Sequence, residues 1–295
     1  MVAQGGALIT LFALVLVLVA AVFHATWNLL AKRVGAGGAV FVWLFGLLSV
    51  FIYAPLALGV ILLQAPHLGP AQLVFMFGSG ALHLGYFVVL QRGYALGDLS
   101  LVYPLARGTG PLLATVGAVI LLGERPGAVA VSGILLITLG VFLLTREPGG
   151  FRGPGLGLGV VYGLLTGVFV AAYTLWDKHA VSALLIPPLL QSWATTLVTV
   201  ALLTPLAVRH RKEALSLWRA RKPEVLGIAV LSPLSYILVL TALVFTPVSY
   251  VAPAREISIL IGVVMGTQLL AEGQAASRLL AAGAMVVGVA ALALG

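Results

Sequence analysis

Long apolar runs, separated by short polar breaks, cover almost the whole chain. A membrane-spanning helix needs roughly 17–25 mainly apolar residues in succession. Ten windows meet this requirement, and their approximate limits are 7–31, 38–63, 70–91, 97–121, 127–145, 155–177, 186–208, 224–244, 247–271 and 276–294. The pattern predicts an all-α integral membrane protein with ten transmembrane helices, numbered spans 1 to 10 in chain order. No basic residue precedes the first window, which favours an uncleaved span over a signal peptide.

The composition supports a membrane location. Hydrophobic residues make up 61% of the 295 and charged residues only 8%, with a mean hydropathy of +1.17, whereas about a quarter of a soluble domain is charged. The net charge is +8. The basic residues lie between the apolar runs, as the positive-inside rule of membrane proteins predicts, so the charge does not indicate a nucleic-acid partner. There is no cysteine, so disulfides and thiolate metal sites are excluded. Because the hydrolase, zinc-protease and P-loop motifs are also missing, we expect neither enzyme activity nor a metal or cofactor.

The two halves of the sequence resemble each other. We predict a first five-helix repeat over 1–145, a linker over 146–154 and a second repeat over 155–295. A shift of 148 residues superposes Ala106-Arg107 on Ala254-Arg255 and Leu121–Glu124 on Leu269–Glu272, and a shift of 149 superposes Trp27-Asn28 on Trp176-Asp177. An odd number of helices in each half inverts the second copy, as in alternating-access transporters whose site lies between the repeats. The alternative is chance similarity between apolar sequences.

Lysine and arginine set the expected orientation. The odd-numbered loops contain Lys32, Arg33, Arg92, Arg146, Arg152, Arg209, Arg211, Lys212, Arg219, Arg221, Lys222 and Arg278, and the even-numbered loops only Arg125 and Lys178. The odd loops are therefore predicted to be cytoplasmic and both termini periplasmic. The basic segment between Arg209 and Glu224 is predicted to form a short interfacial helix that carries Trp218.

Polar and aromatic residues form stripes along spans 1, 3, 4, 6, 8 and 9, while spans 5 and 10 are nearly bare and are predicted to be scaffold. The candidate substrate-binding residues are His24, Trp27, Asn28, His83, Tyr86, Tyr94, Tyr103, Arg107, Tyr162, Thr166, Tyr173, Ser235, Tyr236, Arg255 and Glu256. Any one of them alone is as well explained by a helix–helix contact or an interfacial anchor. Glycines at 155, 159, 163 and 167 predict close helix packing along span 6.

Three charged residues lie inside predicted spans, where each charge costs roughly 2.5–3.5 kcal/mol and requires a partner. They are Arg107, Arg255 and Glu256, with Glu256 taken as the only acid clearly inside a span. Consecutive residues on a helix point about 100° apart, so we expect Arg107, not Arg255, to pair with Glu256. Prolines 104, 111, 247 and 253 predict broken helices near both arginines. The alternative role for the pair is purely structural, locking span 4 to span 9.

Segments 93–107 and 122–126, their counterparts 242–253 and 270–273, and the opening His24-Ala25-Thr26-Trp27-Asn28 resemble the EamA family of the drug/metabolite transporter superfamily. The resemblance implies two inverted five-helix repeats around a central cavity lined by spans 1, 3, 4, 6, 8 and 9. It also implies a bacterial inner-membrane exporter of amino acids or similar metabolites. Members of this family usually have cytoplasmic termini, and the charge pattern of this chain predicts the opposite.

The sequence therefore predicts an inner-membrane transporter that exports small metabolites, chiefly aromatic or bulky apolar amino acids, by alternating access. Its expected partners are a zwitterionic solute and the lipid bilayer, and it is either proton-coupled or a facilitator. A multidrug carrier or a carrier of nucleotide-sugars or other metabolites is the alternative within transport. A lipid-processing membrane enzyme or a scaffold is the alternative from another class.

Overall fold

The computed structural model describes residues 10–35, 38–96, 99–145, 156–262 and 275–295, so the predicted linker 146–154 lies outside the described residues. The helices are α1 (Leu11–Val34), α2 (Ala39–Gln64), α3 (Pro70–Leu96), α4 (Leu99–Leu122), α5 (Ala128–Thr145), α6 (Leu156–Ser182), α7 (Pro188–Arg209), α8 (Arg211–Ala220), α9 (Lys222–Phe245), α10 (Val248–Ala254) and α11 (Ala275–Leu294). Residues 257–262 are also helical. These ranges contain no strand.

Seven of these helices are long and apolar enough to cross a membrane: α1, α2, α3, α4, α6, α7 and α9. The apolar stretches described in α5 and α11, Ala128–Leu143 and Leu280–Leu294, are shorter. Many large apolar side chains on the spans face outward, with Leu11 77% and Phe51 68% exposed. An all-helical chain with this outer surface is a multi-pass membrane protein, as predicted.

The predicted span 9 is interrupted at its two charged residues. α10 ends at Ala254, Arg255 and Glu256 form a turn, and a second helical segment starts at 257. Pro253 lies inside α10, and the amide of Glu256 donates to the Pro253 carbonyl at 3.0 Å, an i to i−3 bond tighter than that of an α-helix. The break predicted near Arg255 is therefore confirmed.

The break predicted near Arg107 is wrong, because α4 runs without interruption through prolines 104 and 111. Packing against α6 explains the difference. A β-carbon added to Gly163 would lie 2.8 Å from the Leu105 β-carbon, and one added to Gly167 would overlap the Thr109 hydroxyl. These contacts hold α4 against α6 on both sides of Arg107, and a neighbouring helix lets a span tolerate proline. The close packing predicted for span 6 is confirmed at these two glycines.

α5 and α11 pack directly against each other. A β-carbon added to Gly133 would lie 2.6 Å from the carbonyl oxygen of Gly288, and one added to Gly140 would lie 2.9 Å from that of Ala281. Ile137 and Met285 are buried beside this contact. The backbones of the two helices thus approach without intervening side chains, which fits the scaffold role predicted for spans 5 and 10.

The corner between α9 and α10 is held by two charged side chains from other parts of the fold. The Lys178 ammonium donates to the carbonyls of Leu243 at 2.6 Å and Thr246 at 3.1 Å. The Glu124 carboxylate accepts from the amides of Val248 at 2.7 Å and Ser249 at 2.9 Å. Each charge complements the helix end that it meets. Lys178, counted as a loop residue in the sequence analysis, therefore lies within α6. Several basic residues counted in the odd loops also lie within helices, among them Lys32 and Arg33 of α1 and Arg92 of α3.

The basic segment after α7 forms α8, so the predicted short helix is confirmed. Trp218 packs against the apolar cluster that includes Phe41 and Val225, and the Lys222 ammonium lies 5.7 Å from its ring centre.

We predict that Gly133→Ala lowers the free energy of unfolding by about 1–3 kcal/mol, because the new methyl group meets backbone atoms of α11 and overpacking costs this much. Gly283→Ala is the matched control, since a β-carbon there has nothing within 4 Å. The measurement is unfolding in mixed micelles. Equal stability of the two variants would show that α5 and α11 do not depend on backbone contact.

Candidate functional site

An ion pair joins α4 to the turn after α10. The Arg107 NH2 atom lies 3.0 Å from Oε2 of Glu256, and the two side chains are only 11% and 2% exposed. The pairing predicted from the sequence is confirmed. Because the helix is broken at these residues, Arg255 is not turned away as predicted: its Nε lies 4.0 Å from Oε1 of Glu256. One carboxylate thus faces two guanidinium groups.

This cluster has unused hydrogen-bonding capacity. Among the described residues, no hydrogen-bond partner meets Nε of Arg107, Nε of Arg255, either carboxylate oxygen of Glu256 or the hydroxyl of Ser258. The 3.0 Å ion pair is thus a close contact of charges without hydrogen-bond geometry. Most buried polar groups in proteins are paired with protein atoms or water. A concentration of unpaired charged groups at one turn therefore indicates a place for water or a polar solute.

Aromatic rings from three helices surround the cluster. His83 of α3 stacks on Tyr173 of α6 with 4.1 Å between ring centres, and Tyr236 of α9 meets His83 edge-on at 5.3 Å. Tyr86 meets Tyr173 edge-on at 5.9 Å. Tyr86, Tyr103 and Tyr173 are close enough to the Arg107 guanidinium to interact with it electrostatically. These flat surfaces, with polar edges, suit apolar or aromatic groups of a solute.

The structure brings together ten of the predicted residues. They are His83, Tyr86, Tyr103, Arg107, Tyr173, Tyr236, Arg255 and Glu256, with His24 in electrostatic range of both arginines and Tyr94 in range of Arg107. They come from α1, α3, α4, α6, α9 and the turn after α10, the six predicted spans.

The other five predicted residues make local or packing contacts. Trp27 packs in the cluster around Phe41 and Val225, and Asn28 is exposed and donates to the carbonyl of His24 in its own helix at 2.7 Å. Thr166 donates to the Tyr162 carbonyl at 2.7 Å, Ser235 donates to the Ala20 carbonyl at 2.9 Å, and Tyr162 packs against Gly93. These contacts match the structural alternative for single polar residues in spans.

Asp177 is the important residue that the sequence analysis left out of the site. It is 0% exposed inside α6, so taking Glu256 as the only intramembrane acid was wrong. Oδ1 of Asp177 accepts from Nε2 of Gln191 at 2.8 Å, and Oδ2 accepts from the Tyr236 hydroxyl in a short hydrogen bond. The predicted window ended at 177, whereas the helix continues to Ser182. The four-residue spacing from Tyr173 places both on one helix face and was the available signal.

A small cleft between α2, α7 and α9 is not part of this site. Ser49, Tyr53 and Trp193 line it, but each donates to a backbone carbonyl of a neighbouring helix, Ala229, Val230 and Val50 respectively. None of the predicted site residues lines the cleft, and its polar groups are already used in helix packing.

A multi-pass helical bundle with a charged, partly unsatisfied cluster in its interior is typical of membrane transporters. Comparison with family models finds that residues 157–294 match the EamA-like transporter family. The match confirms the predicted family over these residues and supports a membrane transporter of the drug/metabolite superfamily. Such proteins are transporters and not enzymes.

The fold recurs among solved structures. One of 29 matching chains, described only as the crystal structure of a protein, covers 96% of this chain and 98% of its own with a TM-score of 0.75. The two sequences are 17% identical, so this likeness concerns the fold alone. No curated protein matches the sequence.

We predict that Arg107→Ala lowers the free energy of unfolding by roughly 3–5 kcal/mol, because it leaves the Glu256 carboxylate buried without its nearest cation. The control is Arg221→Ala. It removes the ion pair between Arg221 and Glu224, in which a guanidinium nitrogen lies 3.5 Å from a carboxylate oxygen and the arginine side chain is 45% exposed. Such surface pairs contribute less than about 1 kcal/mol. The measurement is unfolding in mixed micelles. Equal losses in the two variants would contradict a buried Arg107–Glu256 pair.

Proposed function

We propose that the protein exports zwitterionic metabolites, specifically amino acids with aromatic or bulky apolar side chains, from the cytoplasm across the bacterial inner membrane. The observation that carries this proposal is the cluster of two buried arginines around one buried carboxylate, with unused donors and acceptors on all three. The anionic group of a zwitterionic solute balances the excess positive charge of the two arginines, and its cationic group binds the unused carboxylate oxygen of Glu256.

A zwitterion carries both charges that this arrangement can bind. The solute carboxylate accepts from the free Nε–H of Arg255, and its ammonium donates to Oε1 of Glu256, which accepts no hydrogen bond. Hydrogen bonds of this kind, between charged groups, are each worth about 1.5–3 kcal/mol. The apolar side chain then lies against the rings of Tyr86, Tyr173 and His83.

Alternating access between two inverted repeats is supported by which helices pack together. Under the predicted repeat, α3 and α6 correspond to α9 and α1, and both of these pairs are in contact. The contact of α3 with α7 likewise has its counterpart in α9 with α2. Two further strong contacts, α5 with α11 and α2 with α7, each join an element to its own counterpart. The contact of α4 with α6 has its counterpart in the smaller contact of α10 with α1. These matched pairs support inverted repeats with the site between them.

We predict that reconstituted protein moves phenylalanine much faster than phenethylamine, the same molecule without its carboxylate. Arg255→Gln should weaken the apparent affinity for phenylalanine about 10–100-fold, since it removes a charge-assisted hydrogen bond, and should leave the low flux of phenethylamine unchanged. Arg219→Gln, which removes an exposed arginine of α8, is the control. The measurement is concentration-dependent flux in liposomes.

Other results of that flux experiment decide between the alternatives. Flux of polyamines or organic cations without flux of any amino acid refutes the zwitterion and favours a multidrug carrier. Flux of nucleotide-sugars alone favours that class of carrier. A lipid-processing enzyme or a scaffold moves no solute at all.

We further predict that both termini are periplasmic, because the basic residues are concentrated in the odd loops and at the helix ends that flank them. A C-terminal GFP fusion should be dark and a C-terminal alkaline phosphatase fusion active. A bright GFP fusion with an inactive phosphatase would reverse the orientation and leave the fold unchanged.

A further inference from the structure

The connection between α7 and α9 concentrates positive charge at one end of the bundle. Its residues 209–224 contain six lysines and arginines against two acids, a net charge of +4, which is half of the +8 that the whole chain carries. All six basic residues are exposed. The equivalent connection of the predicted first repeat, residues 65–69, contains neither lysine nor arginine and still joins α2 to α3. Joining two spans therefore does not require a charged connection.

Most of these charges are not neutralised by the protein. Arg221 forms an ion pair with Glu224 at 3.5 Å, and the Lys222 ammonium lies over the ring of Trp218. The other four form no ion pair with any residue that the structure describes, and they are Arg209, Arg211, Lys212 and Arg219. Exposed cations grouped in this way attract an anionic surface.

Helix α8, which carries most of this connection, lies at the level where the spans begin and end. Single residues, His210 and Arg221, separate it from α7 and α9, and both of those helices are long and apolar enough to cross a membrane. Trp218 packs in one cluster with Phe41 and Val225, the third residue of α2 and the fourth of α9. These contacts keep α8 at the boundary between lipid and water, where amphipathic helices lie.

Two faces of α8 have different surroundings. Ala214, only 7% exposed, and Trp218 pack on the bundle. Lys212, Leu215 and Arg219 follow one another at intervals of three and four residues and therefore share a second face. This face is exposed, and Leu215 is 48% exposed between the two cations. A leucine between two long basic side chains suits the membrane interface, where the leucine enters the acyl region and the cations reach the headgroups.

We propose that this second face of α8 binds the phosphate headgroups of anionic phospholipids, with Lys212 and Arg219 at the phosphates and Leu215 among the acyl chains. The lipids belong to the leaflet on the side of the odd loops. The charge pattern predicts that this side is cytoplasmic, and the cytoplasmic leaflet has a negative surface that attracts basic segments beside a span. The contact holds α8 on the bilayer and stabilises the ends of α7 and α9.

This lipid contact goes beyond the proposed function and does not depend on which solute is carried. Lys212 and Arg219 are exposed on α8, whereas the solute site is formed by buried residues of other elements. Loss of the lipid contact should therefore leave the affinity for the solute unchanged.

The test measures thermal unfolding of the full chain in neutral detergent micelles that contain rising fractions of dioleoyl phosphatidylglycerol. A lipid that binds the folded protein raises its unfolding temperature, and the dependence on lipid fraction gives an apparent affinity. Phosphatidylglycerol should stabilise the protein, and phosphatidylcholine with the same acyl chains should stabilise it much less. The difference between the two lipids should shrink as salt is added, because salt screens exposed charges.

Lys212→Gln and Arg219→Gln should each lower the apparent affinity for phosphatidylglycerol about fivefold, the factor that corresponds to about 1 kcal/mol for each cation at an anionic lipid surface. The double variant should lower it about 30-fold. Arg125→Gln is the matched control, because it removes one exposed arginine from the connection between α4 and α5. It should bind phosphatidylglycerol as the wild type does.

Ser216 allows a second, local measurement, because it is exposed next to Leu215 and the chain contains no cysteine. An environment-sensitive fluorophore attached to Ser216→Cys should shift its emission to the blue when phosphatidylglycerol is added, and much less with phosphatidylcholine. The same fluorophore on Arg125→Cys should respond equally to the two lipids.

Equal stabilisation by phosphatidylcholine would overturn the proposal, and so would an equal loss of affinity in Arg125→Gln, which would indicate a general attraction of charge. Stabilisation by inorganic phosphate equal to that by phosphatidylglycerol would also overturn it, because the cations would then bind a free anion. An unchanged emission from the label at 216 would place the lipid elsewhere. Solute flux is not measured in this test, so a failure of the proposed function leaves its result intact.

Discussion

The constraint on which the interior depends is the cost of charge in a hydrocarbon solvent. Few of the residues are charged, so the buried charged side chains determine how the spans meet. The ion pair between Arg107 and Glu256 joins the first half of the chain to the second, since one residue lies on α4 and the other follows α10. Arg255 leaves this cluster with more positive than negative charge.

The two backbone segments that carry this cluster differ, because one is a continuous helix and the other is interrupted. α4 is continuous and packed along α6 through glycines, whereas the equivalent element of the second half is interrupted at Arg255 and Glu256. The corner that leads into this broken element is held by Lys178 and Glu124. A broken helix between a fixed corner and an ion pair can change its geometry at the turn while its ends stay in place.

The two predicted repeats share part of their helix packing and differ in their chemistry. Some helix pairs that the predicted repeat makes equivalent are both in contact, such as α3 with α6 and α9 with α1. Asp177 of α6 is a buried carboxylate, whereas its counterpart under the predicted repeat, Asn28 of α1, is an exposed amide.

The sequence by itself determined the membrane fold, the helices, the family and the residues of the ion pair. Apolar runs of sufficient length have few alternatives in lipid, and a charge inside such a run has to find a partner. Only the tertiary structure decided which prolines break a helix, because the answer depends on the glycine contacts of α6. It also decided the burial and the hydrogen-bond partners of Asp177 and Lys178, which are adjacent in the sequence at the end of a predicted span. The sequence places both near the interface, but a longer helix and the neighbouring α7 and α9 bury Asp177 completely and bind Lys178 to backbone carbonyls. Burial of this kind depends on the neighbouring helices that pack around a side chain. The periodicity of a single helix therefore cannot predict it.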